Sequence, residues 1–250
     1  MSAAPVSQLL AVMLASLRLG PTLGFAPPFT LIRIPASARV VLTVALAASV
    51  PSLGGRPLDL AIAPGLLTTA AAELYLGVVM ALALQLGFGL IGWAGRALDI
   101  QAGFGLAFLI DPTTRAQTPL IGAIFGYAAA AVFFTTSGPE DVIAAFAASF
   151  ERIPLGAAGA PHSLAPLLEY LATLTVLSLG LAGIAIVALF LIDLVIAMMS
   201  RTLPQMNVLV LGLQVKSLVT LILLPITLGL ASAGILRVLR LATENMIKLL

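Results

Sequence analysis

Val40–Gly55, Leu74–Gly95, Ala116–Pro139, Tyr170–Ile192 and Ser217–Leu236 carry no charged side chain at all. Most of these runs approach or exceed the roughly 17–25 apolar residues a helix needs to cross a bilayer. No soluble domain can hide so many, and the composition agrees. Of 250 residues, 61% are hydrophobic and 9% charged, where a soluble domain carries roughly 25% charged residues. The mean hydropathy is +1.17. The period-two alternation of a membrane β-barrel is absent. The expected fold is therefore all-α: membrane-associated helical hairpins built from about six apolar helices.

The same residues exclude several kinds of chemistry. There is no Cys, and the single His is His162, set in a Pro/Gly-rich linker. No His/Cys/carboxylate spacing suits a metal. Phosphate-binding and nucleophile-elbow glycine motifs are missing. Twelve basic residues are scattered along a chain of net charge +2, so no nucleic-acid footprint forms. On these residues an enzyme is the weakest reading, and no cofactor site is marked.

Taken in order, Val6–Gly24 reads as the first helix, interrupted by Arg18, and Phe25–Phe29 ends it with two prolines. With no basic residues before its apolar run, it reads as a helix of the mature chain, not a signal peptide. Ile34-Pro35 opens a short apolar element, Val40–Val50, and Gly54–Pro57 is a turn. The next long helix is expected over Pro64–Gly95, with Glu73 inside it. That acid either lies solvated near the interface or makes an interhelical contact. Asp111-Pro112 reads as a helix start, Asp as cap and Pro at the first position, with the helix running to about Thr136. Ser137-Gly138 breaks it. Glu140–Arg152 is amphipathic, with Val142, Ile143, Phe146 and Phe150 at helical spacing, and is expected on a surface or against a partner. Pro154–Pro166 is the clearest linker. Leu167–Ser200 then predicts a helix of roughly 50 Å, longer than a hydrocarbon core of about 30 Å. Ser200–Asn207 is a polar break, and the last helix runs from Val208 to the C-terminus with Lys216 and Pro225 inside it.

Gly92–Pro119 is the stretch with the most unusual chemistry. Gly92, Gly95, Gly103 and Gly105 alternate with Arg96, Asp99, Gln101, Asp111 and Arg115, around the apolar run Leu106–Ile110. In a membrane protein such a connection is tolerated only where protein or a water-filled cavity surrounds it. It reads as a re-entrant loop, plug or filter, or else as a helix hairpin with a glycine-packed neck. Isolated polar residues recur elsewhere in apolar surroundings: Glu73, Asp193, Arg201, Gln205, Asn207 and Lys216. These mark conduction pathways or buried interhelical pairs. A channel or translocation-gate subunit, a secondary transporter and a structural scaffold all remain open. Orientation stays open too. On six crossings one side collects Arg33, Arg39, Arg96, Arg115 and Arg201, and the other Arg56, Arg152, Arg237, Arg240 and Lys248, an even split.

Several motifs in order resemble one family. They are Asp99-x-Gln101-x-Gly103, Asp111-Pro112-Thr113 with Gln117 and Pro119, and Ser200-Arg201-x-x-Pro204-Gln205-x-Asn207-Val208 with Gly212 and Lys216. Ala26–Phe29, Ile34-Pro35 with Arg39, Glu73-x-x-x-Gly77 and Ser149-Phe150 fit the same order. Together they resemble the FliR family of flagellar and virulence type III protein export, over nearly the whole chain. Gln214 and Ala197 depart from the family pattern, which bears on local bends.

The resemblance implies a non-enzymatic subunit of an export gate in the bacterial inner membrane, at the flagellar basal body. FliP-type and FliQ-type subunits would be its direct partners, with FlhB-type and FlhA-type proteins nearby. Unfolded secreted proteins would be its cargo, with no nucleic acid. It implies a FliP-like part over residues 1–160 and a FliQ-like hairpin over 161–250. Under that reading the loop near residues 101–115 is a pore plug formed by Gly103, Phe104, Gly105, Leu106, Phe108, Ile110, Asp111 and Pro112. Glu73, Arg96, Asp99, Gln101, Arg115, Asp193, Arg201, Gln205, Asn207 and Lys216 serve assembly or line the pathway, with Asp193 and Lys216 as interhelical partners. The alternative is a transporter or ion-channel subunit that acts without such partners.

Overall fold

Prolines and glycines punctuate the apolar runs, and between them the chain has only one way to satisfy its backbone in an apolar medium, the helix. The computed structural model describes residues 4–32, 34–49, 65–104, 119–157, 164–202 and 208–250. Among these residues there are helices and no strands. The helices are α1 (Ala4–Phe25), α2 (Ala36–Ser49), α3 (Leu66–Gln101), α4 (Leu120–Thr135), α5 (Gly138–Arg152), α6 (Ala165–Thr202) and α7 (Val208–Lys248). Four of them, α1, α3, α6 and α7, are long and apolar enough to cross a membrane. The bent pair α4 and α5, 72° apart, brings the number to five if it counts as one span.

Two boundaries that bear on the site differ from the sequence expectation. The long helix does not stop at Gly95 but runs on through Arg96, Asp99 and Gln101. Gly77 and Gly95 are packing sites and Gly89 and Gly92 face open space, so none of them acts as a break and the helix continues to Gln101. At Gly103 φ is +86°, the left-handed conformation that closes helices, and the Gly103 N–H reaches the Ile100 carbonyl at 3.1 Å. At the other end of the chain, α6 begins at Ala165 rather than Leu167, because Pro166 is tolerated in the first turn. The expected helix start at Asp111-Pro112 lies outside the described residues. The described helix α4 begins directly after Pro119.

Amphipathic α5 is not laid on a surface. Its apolar side (Val142, Ala145 and Phe146) is buried within the chain itself, with Ile143 left outside. The turn before it needs a glycine, since a Cβ on Gly138 would lie 2.5 Å from the Phe133 ring and 2.6 Å from the Phe133 carbonyl oxygen.

By internal contacts the chain divides into two units. The first comprises Met1–Gly87, Phe133–Leu171 and Leu239–Leu250. Here Phe29, Phe133 and Phe134 pack edge to face with centroids 5.3–6.3 Å apart. Arg39 on α2 donates to the Gly24 carbonyl at the end of α1, a cation placed at a helix C-terminus. The Tyr170 hydroxyl donates to the Ala83 carbonyl at 2.7 Å, which ties the start of α6 to α3. The second unit comprises Phe88–Val132 and Ala172–Val238. Its α6 and α7 approach closely at Gly234, where a Cβ would meet Leu181 at 2.6 Å. The outer faces of α6 and α7 are apolar. The most apolar windows of α1 and α3 are 44% and 50% buried, whereas those of α6 and α7 are each only 22% buried.

Candidate functional site

The lone polar residues of the apolar helices are not solitary. They gather into three ties, one in the first unit and two in the second. The first joins α1, α3 and the end of α5. Glu73 and Arg18 form an ion pair, with Arg18 Nε donating to Glu73 Oε2 at 2.6 Å, and neither side chain reaches the surface. Arg18 Nη1 also donates to the carbonyls of Ser149 (3.0 Å) and Ile153 (2.8 Å). Its guanidinium carbon sits 4.4 Å from the centre of the Phe150 ring, within cation–π range. The second carboxylate oxygen of Glu73 accepts the Gly156 N–H at 3.0 Å. The helices can come this close because of Gly77, one turn after Glu73. A Cβ there would lie 2.8 Å from the Leu17 carbonyl oxygen and closer still to that of Arg18. Pro21, inside α1, lacks the N–H that would otherwise bond the Leu17 carbonyl. Glu73 thus makes the interhelical contact and is not solvated at an interface.

The second tie joins α3 to α4. Asp99 is 1% exposed, and its two carboxylate oxygens accept the N–H groups of Ile121 (2.9 Å) and Gly122 (3.0 Å). Those are the second and third residues of α4, the donors an N-cap side chain normally satisfies. Pro119 stands at the cap and has no side-chain acceptor to offer, so a residue 20 positions upstream by number does the capping from another helix. The negative charge also sits at the positive end of the helix dipole. Gly95 lets the backbones meet: a Cβ there would come within 2.8 Å of Gly122 Cα.

The third tie joins α3, α6 and α7. Asp193 Oδ1 pairs with the Lys216 ammonium, and Asp193 Oδ2 accepts from Gln101 Nε2 at 3.1 Å. The pair is partly open to solvent, 35% and 18% by side chain. Around it the fit is close. A Cβ on Gly103 would strike Leu213 at 2.8 Å, and one on Gly212 would press Ile196 at 3.2 Å.

The structure therefore brings Gln101, Asp193 and Lys216 together, sets Asp99 as a cap and buries Glu73. Arg96 and Arg201 are exposed and Phe104 is half-buried. Gly105, Leu106, Phe108, Ile110, Asp111, Pro112, Arg115, Gln205 and Asn207 lie outside the described residues. Sequence reasoning missed Arg18 and Gly156. The signal for Arg18 was there: a lone cation in one apolar run answers a lone anion in another. Among the described residues no group of three or more His, Cys, Asp or Glu could hold a metal.

Comparison with known proteins agrees with a membrane role. The family described as bacterial export proteins, family 1, matches residues 9–241. A flagellar biosynthetic protein FliR of Bacillus subtilis is 28% identical over 245 residues, covering 96% of this chain and 94% of that one. The FliR of Aquifex aeolicus is 28% identical over 225 residues, 89% of this chain and 86% of the relative. The surface presentation of antigens protein SpaR of Shigella flexneri is 26% identical over 152 residues, 61% and 59% of the two chains.

Proposed function

The chain belongs to family 1 of the bacterial export proteins, the family of the type III export apparatus, and from that premise we propose that it is a gate subunit. In this reading it joins FliP-type and FliQ-type subunits in the inner membrane at the flagellar basal body, beside FlhB-type and FlhA-type proteins. It forms part of a closed pore for unfolded proteins and has no catalytic role. Residues 1–160 act as the FliP-like part and 161–250 as the FliQ-like hairpin.

The observation that carries the assembly half of this reading is the outer face of α6. Large apolar side chains are exposed along it from Leu168 to Met198, both at 65%. At 1.5 Å per residue that face is about 45 Å long, against a hydrocarbon core of about 30 Å. Lipid alone leaves part of it in water, and apolar helices of partner subunits would cover the remainder.

The plug is assigned to the segment after Gln101. Gly103 supplies the turn that ends α3, and Leu106–Ile110 supply an apolar seal. The polar ties at Asp99 and Gln101 hold the neighbouring helices in place. Deleting Gly103–Leu109 from the chain in cells carrying the whole gate should make their membrane leaky to ions and small molecules. An unchanged leak with normal assembly removes the plug role. Substrate-dependent transport by the purified chain alone would favour a self-sufficient transporter instead.

A further inference from the structure

Arg18 has no part in the export reading, yet it is the largest fully buried side chain described. We propose that Arg18 and Glu73 are a latch on the exit of α5, satisfied only once α1, α3 and the end of α5 are all seated.

The argument rests on what each element contributes. A guanidinium has five N–H donors. The α1–α3 crossing by itself satisfies one of them, at Glu73. The Nη1 donors depend on the Ser149 and Ile153 carbonyls at the C-terminal end of α5, the first of which also accepts the Ile153 N–H at 3.0 Å, and there the helix dipole favours a cation. The Phe150 ring comes from the same turn. On the anion, Oε1 depends on the N–H of Gly156, just past the helix, where φ is +83°. Without the end of α5, the crossing therefore buries a half-satisfied charged pair, which costs more than no pair at all. Nor is there any reserve, because Arg18 Nη2 has no partner among the described residues. Seating α5 supplies the partners of Nη1 and of Oε1, leaving Nη2 alone unpaired, and at the same time fixes the backbone from Ser149 to Gly156, where the chain leaves α5 for the linker to α6. An incomplete N-terminal part stays loose, and a complete one closes in one step.

A plain ion pair would tolerate exchange of its charges; this latch cannot. The swap R18E/E73R aims a carboxylate at the α5 carbonyls and a cation at the Gly156 N–H. The test uses the full chain in its own membrane with its partner subunits, the chromosomal copy replaced. The swap should accumulate no better than Glu73→Gln, and recovery to the wild-type level overturns the proposal. Because the chain has no cysteine, Ser149→Cys gives a single fully buried thiol that reacts with a permeant maleimide only when the end of α5 lifts. In that background Arg18→Lys, which keeps the charge and loses the fork, should speed labelling about tenfold or more. The charge-free pair R18L/E73M should recover accumulation while its labelling stays fast. Labelling at the unsubstituted rate in both variants shows that the end of α5 is held without Arg18 and Glu73, and ends the idea.

Discussion

Two acidic residues in this chain, Glu73 and Asp193, each meet a basic partner on another helix, and the two pairs are built differently. Arg18–Glu73 is wholly buried and leans on backbone groups of α5 and Gly156. Asp193–Lys216 is partly open to water and is joined by one side-chain amide, Gln101. The first pair cannot be broken without leaving a charge stranded where water does not reach. The second can be broken with water replacing the lost partner. The same chemistry thus serves as an obligatory fold contact in one place and as an adjustable one in the other.

The contrast ranks the expected effects of substitution. Glu73→Ala leaves Arg18 buried and unpaired, and should cost about 3–5 kcal/mol. The measurement is chain level in membranes and the melting temperature of the detergent-purified assembly. A loss no larger than that of Lys216→Ala would erase the distinction between the pairs. Gly77→Val forces apart the crossing that brings Arg18 to Glu73. It should approach the Glu73→Ala effect, and a normally stable variant would show that the crossing yields elsewhere. Asp99→Ala strands the Ile121 and Gly122 N–H groups and should cost about 1–2 kcal/mol; Asp99→Asn, which keeps one acceptor oxygen, should cost less. Lys216→Ala should cost about 1 kcal/mol or less and leave chain level nearly unchanged. Export assayed alongside separates a stability role from a role in the pathway. Lys248→Ala breaks an exposed pair with Glu244 and should change stability by no more than about 0.5 kcal/mol.

The helices were legible in the sequence because charge-free runs of this length leave the backbone no other way to bond itself. The break at Ser137-Gly138 was legible too, and so was the partnership of Asp193 with Lys216, opposite charges that border the long apolar runs of the last two helices. The end of α3 was not. Gly92 and Gly95 read either as part of a loop or as a glycine-packed neck between helices; Gly95 is a packing contact, with α4, but the helix passes straight through it. Glycine in an apolar run has these two meanings, and only the neighbouring backbone, here Gly122, separates them. The capping role of Asp99 was hidden for the same reason. Its partners are main-chain N–H groups, which every residue carries and no sequence pattern marks.

The backbone partners of Arg18 carry a consequence about direction. A helix presents carbonyls at one end and N–H groups at the other, and α5 brings its carbonyl end to α1. Had α5 run the opposite way, the same spot on α1 would have required an acid. The sign of a single buried charge on one helix thus records which way its neighbour points. In a chain whose loop charges divide evenly and give no orientation, that sign is a compass written inside the fold.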